Sequence, residues 1–240
     1  MCVTTKKVVL FSVLSLFINA AVCNMSEAAG KPEVKVPEAT APQGSGQVEP
    51  IAAAEKKVEV TDASFRCLHK MTKVGNMYVD NLLGDLEGTL AVAKSSAGGV
   101  YPAGSVVQLL PTEVMIKREK GANDETNDWE FFVLEVSPEG SKIKQRGFNP
   151  PVKNMLGSCI SCHKQVAPQA DMVCAAGQGC PPIVFPGGID NAKLISALQK
   201  TDKRCPSPEP PTPEEMAELI KLKKMLEAQA AAAAAAAGQP

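Results

Sequence analysis

An α+β domain organised on an antiparallel β-sheet, with a few helices, is the fold class this sequence predicts. Three observations predict it. The run WEFFVLEV, Trp129 to Val136, puts Trp129, Phe131 and Val133 on one side of an extended chain and Phe132, Leu134 and Val136 on the other; both sides are largely apolar, as in a strand covered on both faces. Around Pro111, Ser105 to Leu110 and Thr112 to Lys117 read as two further strands, and Ser141 to Arg146 as an edge strand after the turn Ser137-Pro138-Glu139-Gly140. Within the domain, helices are expected around residues 159–163 and from Ala192 to Lys200.

The elements follow in order. Lys6 and Lys7, the apolar run Val8 to Ile18 and the small residues Ala20 and Ala21 have the tripartite layout of a secretory signal, assigned to residues 1–24. The run is too short to span a bilayer comfortably, and no other stretch approaches the ~20 apolar residues of a membrane helix. The expectation is an exported, periplasmic chain that does not span the membrane once the signal is removed. A lipid anchor at Cys23 is the alternative, disfavoured by the bulk of Val22. Residues 25–58, with their prolines, alternating charges and few large apolar side chains, read as a disordered linker.

Residues 59–205 form the predicted domain. Within it Met71 to Ala93 is ambiguous: Leu82, Leu83, Leu86 and Leu90 keep helical spacing, but Gly75, Gly84 and Gly88 weaken a helix. Residues 206–240 read as a proline-rich spacer, PSPEPPTP, and a helical, alanine-rich tail. Thr212-Pro213-Glu214-Glu215 is a capping-box pattern with proline at the first helical position. This tail is expected to lie solvated outside the core. A net charge of −1, with no basic stripe interleaved with aromatics, argues against a nucleic-acid partner.

Export changes what the cysteines mean. Beyond Cys2 and Cys23 the chain has Cys67, Cys159, Cys162, Cys174, Cys180 and Cys205, and an oxidising compartment makes disulfides the default. Cys159, Cys162 and His163 stand apart, in the stretch GSCISCHK. Cys-x-x-Cys on one helical turn puts two sulfurs on one side, where they can reach the two vinyl groups of a haem, and the next residue aims an imidazole at the iron. Ser158 is suited to cap that turn and Gly157 to let the chain enter it. A zinc site recruiting Cys174 and Cys180 would leave His163 idle, and a thioredoxin-like dithiol needs a βαβ setting that is absent. The motif therefore predicts one covalent haem c, carried by Cys159 and Cys162 on a helix near the C-terminal end of the domain, with His163 as the proximal iron ligand.

Four cysteines then remain, and three pairings are open to them. The preferred pairing is Cys174 with Cys180, closing the loop CAAGQGC, and Cys67 with Cys205, clamping the two ends of the domain. The iron's second axial position stays open: to His69, read here as a surface histidine, to Met71, Met77, Met115, Met155 or Met172, or to a small ligand.

The order YPAGSVVQLLP (Tyr101 to Pro111), EVMIKREKG, DWEFFVLE (Asp128 to Glu135), RGF and CISCH resembles the β-rich cytochrome P-460 family and its relative cytochrome c′-beta, over roughly Tyr101 to Lys164. The resemblance implies a five-coordinate haem held by His163, with a sheet supplying the distal pocket. It further implies either nitric oxide binding or hydroxylamine oxidation, the latter with a lysine bonded to the haem edge. Here Val106 to Leu110 offer no lysine, and the next one is Lys117. Glu130 and Glu135 are the carboxylates considered for the pocket, against the preferred reading that they are solvated or paired with Lys117 or Arg118.

Three functional readings follow. The first is a monohaem cytochrome passing electrons to a redox partner protein or binding a small nitrogen-oxide ligand. The second is a haem enzyme, a hydroxylamine oxidase or a peroxidase. The third is an exported domain without haem, stabilised by zinc or disulfides.

Overall fold

The computed structural model describes residues 56–148, 152–154, 157–174 and 183–237. The segments read as signal peptide and most of the linker, together with Met155 and Cys180, lie outside those residues. The fold is α+β: six antiparallel strands form one sheet in the order β1 (Thr72–Val74), β2 (Met77–Asn81), β3 (Ser105–Leu110), β4 (Glu113–Lys117), β5 (Trp129–Ser137) and β6 (Gly140–Gly147). Each strand pairs with its neighbour in sequence; tight turns join β1–β2, β3–β4 and β5–β6, whereas residues 82–104 and 118–128 make the two longer connections. The ambiguous stretch resolves into β1, β2 and the helix α1 (Leu86–Lys94), capped by the Asp85 carboxylate, which accepts from Gly88 N. Gly75 takes φ +61° in the β1–β2 turn, a conformation that glycine adopts without cost and that breaks the helical pattern there.

Alternation along the strands makes two separate cores. Met77, Val79, Val107, Met115, Trp129 and Phe131 point to the first face, where Tyr101, Val152, Ile160, Met172 and Val173 cover them. Val106, Val114, Ile116, Phe132 and Leu134 point to the second, covered by Val58 and Phe65. Val58, which the sequence places at the end of the linker, is fully buried against the second face. Both faces of β5 are filled, as its doubly apolar sequence requires.

A disulfide joins Cys67 to Cys205 across 138 residues, as the sequence predicts. Beside it Leu68 N donates to Asp202 Oδ2, and Arg204 binds the same carboxylate at 2.8 Å with both side chains almost wholly buried.

The C-terminal helix corrects an expectation. The capping box is present: Thr212 N donates to Glu215 Oε2 and Glu215 N to Thr212 Oγ1. However, α4 (Pro213–Ala237) is not a solvated tail. Its first turns dock on α3 (Asn191–Lys200), where Leu219 and Leu222 pack on a third apolar cluster of Phe185, Ile189 and Leu194. Glu215 is buried between the Ser196 hydroxyl, at 2.6 Å, and Lys200, at 2.9 Å. The α4 sequence shows only a weak apolar stripe, so nothing in it alone announces the partner that completes it.

Candidate functional site

The residues that could carry chemistry meet on the first face of the sheet. A two-stranded ribbon, β7 (Lys153–Asn154) and β8 (Gly157–Ser158), delivers the chain into the short helix α2 (Cys159–His163). Gly157 has φ +116°, a region closed to other residues, and so permits the turn from ribbon to helix as the sequence suggests. Ser158 sits at the N-cap but its hydroxyl makes no capping bond, contrary to expectation. Instead Cys159 N donates to Val152 O, so the ribbon's own backbone closes the turn.

Helix α2 lies against the core through Ile160, which is buried, and Cys159, which packs on the same cluster; Cys162 is exposed. Neither thiol of the Cys-x-x-Cys turn is in a disulfide. Burial, with Glu113 and Cys162 nearby, pushes the Cys159 thiol up to about 11. A reactive redox dithiol needs the opposite, an electropositive setting that lowers a thiol.

His163 is fixed at one nitrogen. Its Nδ1 lies 2.7 Å from Met172 O, and because a carbonyl oxygen only accepts, Nδ1 carries the proton and Nε2 keeps a lone pair. Burial pushes the imidazole's pKa down, which favours the neutral ring; the bond to the Met172 carbonyl partly opposes this. The ring stands 5.2 Å from that of Phe131, tilted by 51°.

Pairing register places Glu113 opposite Val133, Met115 opposite Phe131 and Lys117 opposite Trp129, all on the α2 side of the sheet. Glu113 thus shares the α2 face, close enough to Cys159 to help raise its thiol, and burial pushes its own pKa up despite a hydrogen bond from Asn154. Sequence reading overlooked it. The signal available was the alternation Glu113, Met115, Lys117, which shares a face with Trp129 and Phe131 once the β4–β5 register is known.

The carboxylates considered from sequence are placed elsewhere. Glu130 is buried on the second face between Arg118, at 2.5 Å, and Arg146, at 2.7 Å. Glu135 is exposed and paired with Lys144. The paired reading therefore describes them, with Arg118 a partner of Glu130 and Lys117 a partner of neither; Lys117 bonds to Asp171 at 2.7 Å instead.

Of the methionines, Met77, Met115 and Met172 are buried in the first core and Met71 packs at the edge of the second. Met172 also supplies the backbone carbonyl that accepts from His163 Nδ1. His69 is exposed, near the Cys67–Cys205 sulfurs. That trio is no metal centre, since the disulfide leaves no thiolate to coordinate.

These residues fit a c-type haem in three respects. Two unpaired thiols share one helical turn, the adjoining imidazole is held in the tautomer that leaves Nε2 available, and the surrounding surface is apolar. A fourth observation agrees: the Trp129 indole N–H is buried in this core with no acceptor among the described residues, a donor that a bound group carrying carboxylates would satisfy. Comparison with family models, curated proteins and solved structures gives no match to this chain.

Proposed function

We propose that this chain is an exported monohaem c-type cytochrome that acts in electron transfer or in binding a small ligand of the nitric oxide type. Cys159 and Cys162 would hold one haem c through thioether bonds, and His163 would be its proximal ligand. The observation that carries this reading is the His163 Nδ1–Met172 carbonyl bond beside two thiols left out of any disulfide. Bound there, the haem supplies a one-electron couple and, where its second axial position is open, a site for a diatomic molecule. The chain's own residues supply the rest. Phe131, Met115 and Val107 keep the site apolar, and Met172 O orients the imidazole.

Glu113 favours a second reading, an enzyme oxidising hydroxylamine, because burial shifts this carboxyl towards its protonated form, and such a group can exchange a proton beside the site. Against the cross-linked form of that enzyme, the Lys117 ammonium is engaged by Asp171 and by Asn127 O.

The test is direct. Full-length chain from a host competent in cytochrome c maturation should gain the mass of one haem and show a c-type absorption spectrum. A low-spin reduced spectrum favours electron transfer, a high-spin one that shifts on adding nitric oxide favours ligand binding, and a far-red Soret band favours the cross-linked enzyme. A bare polypeptide mass overturns all three.

A further inference from the structure

Lys117 is a buried lysine that the site as described leaves without a role. Its ammonium lies 2.7 and 2.9 Å from the two oxygens of Asp171 and 2.6 Å from Asn127 O, and 5.2 Å from the centre of the Trp129 ring. Among the described residues, four that are not glycine have positive φ, and they fall into two adjacent pairs: Asn127 (+46°) with Asp128 (+62°), and Asp171 (+48°) with Met172 (+63°). One ammonium touches both pairs. Left-handed backbone is uncommon for L-amino acids other than Asn and Asp and is seldom taken by consecutive residues, so the Asp171–Met172 pair persists only where surrounding contacts enforce it.

The contacts enforcing the second pair are explicit. Asp171 Oδ2 also accepts from Tyr101 N, at 2.9 Å. Just upstream, Gln169 O accepts from Gly99 N, and it approaches Gly98 so closely that a Cβ there would sit 2.0 Å from it. Val173 N donates to Ala170 O on the far side. The output of this left-handed turn is the Met172 carbonyl, aimed at His163 Nδ1.

We infer that the Lys117–Asp171 pair is a positioning device for His163: it holds the left-handed Asp171–Met172 turn so that the Met172 carbonyl accepts from the imidazole and sets how strongly Nε2 donates to a bound iron. Lys117 and Asp171 touch no substrate or cofactor in this role, which rests on the haem reading for its consequence but not for its geometry. A carbonyl drawing on the Nδ1 proton makes the ring a stronger donor at Nε2 and so favours the oxidised iron.

Two measurements on full-length chain test this with Asp171→Asn, Lys117→Met and the conservative Lys117→Arg. In matured protein, Asp171→Asn and Lys117→Met should keep covalent haem by mass, lower the iron–histidine stretching frequency of the reduced form and raise the reduction potential, and Lys117→Arg should return both towards wild type. Full haem content with an unchanged stretch and potential would overturn the inference. In protein made without maturation, nitrogen-15 spectra of His163 should show the Nδ1–H tautomer in the wild type and a mixture with Nε2–H in the two disruptive variants; an unchanged tautomer would overturn it as well. This second arm decides the matter even if the wild type carries no haem, an outcome that sinks only the cytochrome reading. Should Asp171→Asn fail to accumulate, Lys117→Gln carries the same readouts.

Discussion

The two faces of the sheet are built from the same kinds of apolar residue and differ in how their polar groups are treated. On the second face Glu130 is surrounded: Arg118 and Arg146 bind its carboxylate, and Arg118 reaches on to Val58 O. This paired cluster closes the N-terminal segment over the core. On the first face burial pushes the Glu113 carboxyl up despite a hydrogen bond from Asn154, the Trp129 N–H has no acceptor among the described residues, and the Cys159 and Cys162 thiols are in no disulfide. Buried polar groups left short of partners are costly, and each face carries one such N–H among the described residues, Arg118 Nε on the second and Trp129 Nε1 on the first; the first face differs in also keeping two thiols outside any disulfide and a carboxyl raised by burial. The second face is thus an ion-paired cover, whereas the first also carries the two thiols and the imidazole on which the proposed function rests.

That contrast can be broken most severely at the helix. Cys159→Ser combined with Cys162→Ser should abolish covalent haem entirely, read as a bare polypeptide mass, whereas no change confined to the second face should do so. Retention of covalent haem by the double variant would erase the assignment of the first face.

The next largest effects are on stability. Replacing Cys67 and Cys205 with Ala removes a cross-link closing 138 residues and should cost about 2–5 kcal/mol in denaturant unfolding. Phe132→Ala, at a site 1 % exposed in the second core, should cost about 3–5 kcal/mol while leaving the spectrum of the folded fraction as it was. A changed spectrum in Phe132→Ala would show that the two faces are coupled.

Smaller and slower to appear is the contribution of α4. Removing residues 206–240 uncovers Phe185, Ile189 and Leu194 and should lower the melting temperature without altering the spectrum. Its charged contact has a defined pH dependence. Ser196, the Thr212 N–H and Lys200 hold the Glu215 carboxyl down to about 2, from an ordinary 4.5. A depressed carboxyl stabilises the fold above its ordinary value and loses that contribution as the pH falls through its folded value. Glu215→Gln should therefore melt lower than wild type at neutral pH, with the gap closing as the pH falls from about 4.5 towards about 2. A gap of constant size across that range would show that the side chain acts by packing alone.

Sequence reading recovered what is written in local spacing. Residues 105–110, 112–117 and 129–136 were legible as strands because alternation and turn residues are short-range signals, and Thr212 to Glu215 were legible as a cap for the same reason. Cys159, Cys162 and His163 were legible because they occupy a single turn. Ser158 misled, since a residue suited to capping says nothing about whether Val152 O already closes that turn. Glu113 stayed hidden because its face depends on pairing with Val133, twenty residues on by sequence and decided by register.

The order of residues by itself determined the strands, the thiol–thiol–imidazole turn and the end-to-end bridge between Cys67 and Cys205 as a preferred pairing. Only the tertiary structure decided that Lys117 answers Asp171, that Met172 turns its carbonyl on His163, and that α4 closes over α3. The physical reason is range: hydrophobic period and turn chemistry act between neighbours, whereas a buried charge must find its partner wherever the folded chain brings one within hydrogen-bonding distance, here 54 residues away.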